Sequence, residues 1–152
     1  MAKSANQKKN YSGRVKKSIQ IKKPSDTVWR TLSKITDLSW LVDVKKTVYL
    51  SRTKRGVGAI RNITFNDGNQ IEEHVVAWEN KKFFSYTAVT GLPLRLYYAT
   101  ISINPQKKST TVTWQSYFNS KKMTKKEFNE FVNFMGSFYQ TSLKNLKSRL
   151  EK

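Results

Sequence analysis

The chain has 152 residues, of which 38% are hydrophobic and 12% aromatic, so it is long enough to bury a core as one domain and too apolar for a disordered protein. It has no cysteine, which excludes disulfides and thiolate metal sites, and no apolar run long enough for a membrane-spanning helix. The net charge of +19 favours contact with polyanions, whereas a generally basic proteome would give the same charge for solubility alone.

The N-terminal segment is basic and lacks apolar periodicity. Residues 1–14 therefore predict a flexible arm, and residues 15–152 predict a single domain. The first 23 residues contain eight Lys or Arg and neither an acidic residue nor an apolar run. A secretory signal needs an apolar stretch behind its basic start, so we expect none and predict a cytoplasmic protein.

One strand and two short helices are predicted next. Partial alternation of apolar residues between Val15 and Ile21 indicates the strand. Pro24-Ser25-Asp26 is typical of a helix start, with Ser25 as the N-cap. Apolar residues recur every three or four positions from Val28 to Ile35, and Leu38 to Val42 predicts a second short helix or a turn.

The remainder predicts strands followed by one long helix. From Val44 to Phe118 the apolar pattern has a period of two and is broken by five turn signals, which predicts six antiparallel strands in succession. From Thr124 to Leu150 a continuous apolar stripe recurs at helical spacing. A curved antiparallel sheet wrapped around this helix would bury the stripe, so we predict an α+β fold.

Several motifs in this order resemble the SRPBCC superfamily, the START-like and birch-pollen-allergen-like helix-grip proteins. The polyketide cyclase/dehydrase and lipid-transport-like branch is the most similar. The matching residues are Ile21, Pro24, Val28-Trp29, Trp40, Gly56-x-Gly58-x-x-Arg61, Asp67-Gly68, Glu73, Tyr86, Gly91-x-Pro93, Tyr97-Tyr98-Ala99 and Val112-x-Trp114. The resemblance implies a helix-grip fold, with a curved sheet of about seven strands around the C-terminal helix. It also implies a deep cavity for a lipid, a sterol-like or a polyketide-like compound.

The segment GVGAIRNITF, from Gly56 to Phe65, contains an arginine within an otherwise weakly polar run. A dinucleotide-binding loop would need a third glycine at Arg61 and a following helix, so that interpretation fails. In a strand, Ala59, Arg61, Ile63 and Phe65 share one face, which is the more apolar face at its far end. Arg61 is therefore predicted to point inward, where a buried cation needs an anionic partner.

The turn after this strand decides the partner of Arg61. If Asp67-Gly68 is a two-residue turn, Arg61 faces His74. If Asn66-Asp67-Gly68 is a three-residue loop, Arg61 faces Glu73; glycine in the third position favours this arrangement. The two side chains could hydrogen-bond and neutralise only each other, or they could also orient the polar end of an apolar ligand.

Aromatic residues are numerous where the walls of the implied cavity should lie. Most of them could equally be ordinary core. The predicted ligand-binding residues are Trp40, Arg61, Phe65, Glu73, Tyr86, Tyr98, Trp114, Phe118, Phe131, Met135 and Phe138. Tyr139 would join the last three on the helical wall. As a set they suit a hydrophobic small molecule.

Sequence features for catalysis are few. With one histidine and no Asp/Glu cluster of suitable spacing, we expect neither a metal site nor a cofactor. In a cyclase- or aromatase-like enzyme of this superfamily, Glu73 or Tyr86 would transfer the proton. A further alternative is a nucleic-acid-associated protein. In that case the basic arm and lysine clusters would contact phosphates non-specifically, as they could also contact an acidic membrane.

Overall fold

The computed structural model describes residues 6–152, which form one antiparallel sheet and two helices. The sheet order is β1-β7-β6-β5-β4-β3-β2, and α2 packs on the inner face of the curved sheet, chiefly against β1. The elements are β1 Ser12–Ile21, α1 Ser25–Leu32, β2 Val44–Tyr49, β3 Ile60–Phe65, β4 Gln70–Glu79, β5 Phe83–Thr90, β6 Leu94–Pro105, β7 Thr110–Ser120 and α2 Lys125–Leu150. The predicted α+β helix-grip architecture, with seven strands and a long C-terminal helix, is confirmed.

The prediction of two short helices after β1 is wrong. Between β1 and β2 the chain forms α1 alone, and residues 34–42 fold into separate turns instead of a second helix. Backbone bonds from Asp37 N to Lys34 O and from Leu41 N to Leu38 O close these turns. The Trp40 indole nitrogen also donates to the Asp37 carbonyl, at 3.0 Å. Short polar residues such as Asp37 favour local turns over helix continuation.

The start of α1 and the start of β1 also differ from the prediction. The N-cap of α1 is Pro24 in an extended conformation, so Ser25 is the first helical residue instead of the cap. β1 begins at Ser12, three residues before the predicted start of the domain. Lys9 and Met123 exchange two backbone hydrogen bonds of 2.9 Å, which attaches most of the described part of the predicted arm to the sheet. Residues 1–5 of the predicted arm lie outside the described residues.

The 26-residue helix α2 closes the inner face of the sheet. It begins with a capping box: the Thr124 hydroxyl accepts from Glu127 N at 3.1 Å, and the Glu127 carboxylate accepts from Thr124 N at 2.8 Å. Buried residues from Phe128 to Leu146 then pack on the sheet. Within residues 6–152, no helix combines the length and the hydrophobicity that a bilayer crossing requires.

Candidate functional site

A cavity of about 710 Å³ lies between the sheet and α2. Its lining is mostly apolar, with residues of β3 to β7 on one side and α2 on the other. Eight predicted residues line it: Trp40, Arg61, Phe65, Glu73, Tyr86, Trp114, Met135 and Phe138. The curved sheet therefore does not pack tightly against the middle of α2, and the cavity lies between them.

Three predicted residues do not line this cavity. Tyr98 lies on the outer face of the sheet, because its neighbours Tyr97, Ala99 and Ile101 take the alternating inward positions of β6. Phe118 points inward but is fully buried, with its ring 5.7 Å from that of Phe131. Phe118 belongs to the buried core, and Phe131 is partly buried against it. Neither lines the cavity, so the prediction that these three residues line it is wrong.

The turn between β3 and β4 places Arg61 opposite Glu73, as the three-residue loop predicted. Phe65 N donates to Asn69 O at 2.9 Å, which closes the loop around Asn66, Asp67 and Gly68. Gly68 has a φ of +90°, the left-handed conformation that this loop needs in its third position. The alternative register, with Arg61 opposite His74, is excluded because His74 pairs with Ile60.

The Arg61–Glu73 pair forms the charged centre of the cavity. Arg61 Nε and Nη2 lie 2.9 and 2.8 Å from Glu73 Oε1, and Arg61 Nη1 donates to the Ile35 carbonyl at 2.8 Å. Both side chains are more than nine-tenths buried. Burial raises the pKa of Glu73 above its ordinary value, and the attraction of Arg61 opposes this rise. These contacts use one N–H group on each of the three Arg61 nitrogens, whereas Glu73 Oε2 takes part in none of them.

Three tyrosine hydroxyls surround this pair. Trp114 Nε1 donates to Tyr86 Oη at 2.9 Å, and the guanidinium carbon of Arg61 lies 4.9 Å from the Tyr86 ring centre. Tyr97 and Tyr139 share a hydrogen bond between their hydroxyls. Burial raises the pKa of all three phenols above 10.0, so they stay protonated at neutral pH. The cavity therefore offers neutral hydroxyl groups and one carboxylate in an apolar surround.

Tyr97 is a lining residue that the prediction omitted. Its inward direction follows from the apolar positions Ala99, Ile101 and Ile103, which alternate with polar residues along β6. That periodicity was available in the sequence and would have assigned Tyr97, rather than Tyr98, to the cavity.

The mouth of the cavity combines polar loops with an exposed aromatic ring. The lining residues Asp43, Asn66, Asp67 and Phe134 are exposed, Phe134 by 63%, and Leu92 is partly exposed. Asn66 N donates to the Asp43 carbonyl at 2.8 Å, which holds Asp43 in a left-handed conformation with a φ of +58°. The sequence pattern did not indicate the rim residues Asp43, Asn66, Asp67 and Leu92, because they lie in loops, which carry no periodicity.

The single histidine lies away from the cavity. His74 Nε2 is 2.7 Å from Glu72 Oε2, and the two side chains lie together on the outer face of β4. Within residues 6–152, no group of three or more His, Asp or Glu side chains could hold a metal ion.

Comparison with known proteins assigns the family. The sequence profile described as "Polyketide cyclase / dehydrase and lipid transport" matches residues 12–151. The chain belongs to this family. A search of curated proteins found no match. The family is of the SRPBCC type, which agrees with the motifs and with the helix-grip fold, and hydrophobic ligand binding is the activity that such membership indicates.

Solved structures from diverse organisms share the fold of this polyketide cyclase/dehydrase family member. An uncharacterised Bacillus thuringiensis protein is 20% identical, with a TM-score of 0.79 and coverage of 92% of this chain and 100% of that chain. A START superfamily protein from Mycobacterium smegmatis is 14% identical, with a TM-score of 0.76 and coverage of 91% and 97%. Norcoclaurine synthase from Thalictrum flavum, in complex with dopamine and hydroxybenzaldehyde, is 16% identical, with a TM-score of 0.69 and coverage of 93% and 87%.

Proposed function

We propose that this protein binds, and transports, a hydrophobic small molecule of the lipid, sterol-like or polyketide-like class in the cavity between the sheet and α2. The observation that carries the proposal is the cavity of about 710 Å³, lined mainly by apolar and aromatic side chains around one buried ion pair. Small-molecule sites typically enclose about 300–1,000 Å³ and combine apolar walls with a few convergent polar groups.

The polar centre supports an oriented mode of binding. Arg61 directs one N–H group of each nitrogen to Glu73 or to the Ile35 carbonyl, so the free acceptor that a ligand would meet at this centre is Glu73 Oε2, beside the phenol hydroxyls. These groups favour a hydroxyl or amine on the ligand as the hydrogen-bond donor. The apolar body of the ligand would lie along Phe65, Trp114 and Phe138, with the mouth at Leu92 and Phe134.

A cyclase-like enzyme is the second candidate, and the position of Glu73 favours it. Burial raises the pKa of Glu73, so this carboxyl holds a proton more readily than an exposed one, and Tyr86 lies beside it across Arg61. In that case Glu73→Gln would retain ligand binding but abolish conversion of a bound polyketide-like substrate. Unchanged conversion in Glu73→Gln would exclude Glu73 as the proton-transfer group.

Native mass spectrometry of the protein purified from its own cells tests binding directly. We expect a mass that exceeds that of the protein by the mass of a bound hydrophobic compound.

A fluorescent aliphatic probe supplies the site-specific test, with Leu92→Trp filling the mouth of the cavity. We expect this variant to lose probe binding. Val89→Trp, which adds the same ring at a 51% exposed position of β5 outside the cavity lining, should bind like the wild type. Equal binding by both variants would contradict the proposed site.

A further inference from the structure

The outer face of the sheet is free of carboxylates over four adjacent strands. β5, β6, β7 and β1 are neighbours in the sheet, and none of them contains an Asp or Glu. Arg14 and Lys16 are exposed on β1, opposite Tyr117 and Gln115 of β7. This half of the outer face is therefore a cationic surface, and no neighbouring side chain on these strands neutralises it.

Two exposed tyrosines lie side by side on this surface. Tyr98 of β6 pairs directly with Tyr117 of β7, and their exposed fractions are 40% and 42%. The guanidinium carbon of Arg14 lies 5.7 Å from the centre of the Tyr117 ring. Arg14, Tyr98, Tyr117 and Gln115 line a shallow depression of about 350 Å³, together with Thr100. Rings, cations and hydrogen-bonding side chains thus converge at one place.

We propose that this outer face, around Tyr98 and Tyr117, is a binding surface for single-stranded nucleic acid. Unpaired bases would stack on the tyrosine rings, because every base has a flat face that an exposed aromatic ring can cover. Arg14 and Lys16 would contact the phosphates, and the neighbouring Gln115 would hydrogen-bond a base edge or a sugar. The surface is separate from the cavity, so the inference is independent of the small-molecule proposal.

The shape and composition of the surface favour single strands over the other polyanions. A duplex hides the faces of its bases, so it would contact Arg14 and Lys16 but not the tyrosine rings. An acidic membrane would need a continuous apolar face that inserts beside the cations. The centre of this surface consists instead of tyrosine, threonine and glutamine, whose hydroxyl and amide groups suit hydrogen bonds to bases and sugars. Stacking on Tyr98 and Tyr117 is therefore the property that distinguishes the partners.

Fluorescence anisotropy measures the binding of labelled oligo-uridine, oligo-deoxythymidine and a duplex of equal length to the full chain. Anionic vesicles are then added as a competitor. We expect at least one single strand to bind more tightly than the duplex. The double variant Tyr98→Thr/Tyr117→Thr should weaken that binding by about tenfold or more. Tyr98→Phe/Tyr117→Phe, which retains both rings, should restore it.

Charge variants separate the surface from the general basicity of the chain. Arg14→Gln/Lys16→Gln should flatten the dependence of log affinity on log salt by about 1.4, the loss of two single-strand phosphate contacts. Lys107→Gln/Lys108→Gln removes the same charge at the exposed β6–β7 turn and should leave that slope nearly unchanged. The proposal is overturned if the duplex binds equally well, if the threonine variant binds normally while folded, or if vesicles bind and displace the single strand.

Discussion

Arg61 and Glu73 show how one residue can depend on another for its place in the interior. Each side chain is more than nine-tenths buried, and a buried charge without a partner costs several kcal/mol. Arg61 also donates to the Ile35 carbonyl, so it links β3 and β4 to the turns that follow α1. The pair therefore fixes the geometry of the cavity as well as its charge.

Removal of Arg61 alone should be more harmful than removal of the whole pair. We expect Arg61→Met to lower the free energy of unfolding by about 3–5 kcal/mol, because Glu73 is left buried without a counter-charge. Arg61→Met/Glu73→Leu should be clearly more stable than the single variant. Urea denaturation measures the free energy of unfolding of both variants. Lys82→Met, which removes one partner of an exposed ion pair with Glu79, is the control and should have a small effect. Equal losses in the single and double variants would show that the pairing does not stabilise the fold.

Glu73 should also give stability a distinctive pH dependence. Its pKa is raised in the folded protein, so the folded state keeps this proton at pH values where the unfolded chain has released it. The stabilising contribution is fully present below pH 4.5 and is lost as pH rises through the raised pKa. In Glu73→Gln that decline should disappear.

Urea midpoints measured between pH 4.5 and about 7 test this dependence. Glu127 and Glu151 have lowered pKa values and titrate below this window, so they do not mask the effect. Parallel pH curves for the wild type and Glu73→Gln would contradict the prediction.

At the scale of elements, the β5–β6 turn must approach β4 closely. A Cβ atom at Gly91 would lie 2.1 Å from the Gln70 carbonyl oxygen and 2.9 Å from Ile71 Cα. Ile71 lines the cavity, so this close backbone contact positions one wall of the site. The β5–β6 turn thus contributes to the site through its backbone and not only through the side chain of Leu92.

Gly91→Ala should therefore destabilise the protein more than an alanine at Gly58. The two glycines have similar φ angles, +96° and +97°, but a Cβ at Gly58 would meet nothing within 4 Å. We expect Gly58→Ala to cost about 1–2 kcal/mol through backbone strain alone. Gly91→Ala should exceed that value, because backbone atoms must move. Thermal unfolding of the two variants compares them, and equal melting temperatures would contradict the assigned contact.

Helices and strands whose apolar residues recur at a clear period could be predicted from the sequence, whereas irregular segments could not. The six strands from Val44 onward and the long helix follow from periods of two and 3.6, and the Arg61–Glu73 register follows from Gly68 in its turn. The segment 34–42 is too short for the spacing of its apolar residues to distinguish a helix from turns. At Tyr97-Tyr98 the local pattern is degenerate, since both residues suit either face, and only the longer alternation to Ile103 decides.

The molecule as a whole carries far more positive than negative charge. There are 29 Lys or Arg residues against 10 Asp or Glu residues, so most of the cations cannot each be paired with a carboxylate. Such self-repulsion destabilises the compact state relative to the expanded chain, and salt screens it over roughly 10 Å at 0.1 M.

Added sodium chloride should consequently stabilise this protein. We expect the urea midpoint to rise between about 20 and 300 mM salt, the opposite of the effect expected where surface ion pairs dominate. The variant Lys107→Gln/Lys108→Gln should show a smaller rise because its net charge is lower. A midpoint that falls as salt increases would show that attractive pairs outweigh the repulsion.

The three-residue loop at Asn66 to Gly68 has an evolutionary consequence. Deletion of one loop residue would shift the pairing of β3 and β4 and exchange the partner of Arg61, although every cavity side chain would still be present in the sequence. Relatives that differ here by a single insertion or deletion would therefore carry a differently constructed pocket. Loop length, read from an alignment, would sort such relatives into specificity groups before any residue is compared.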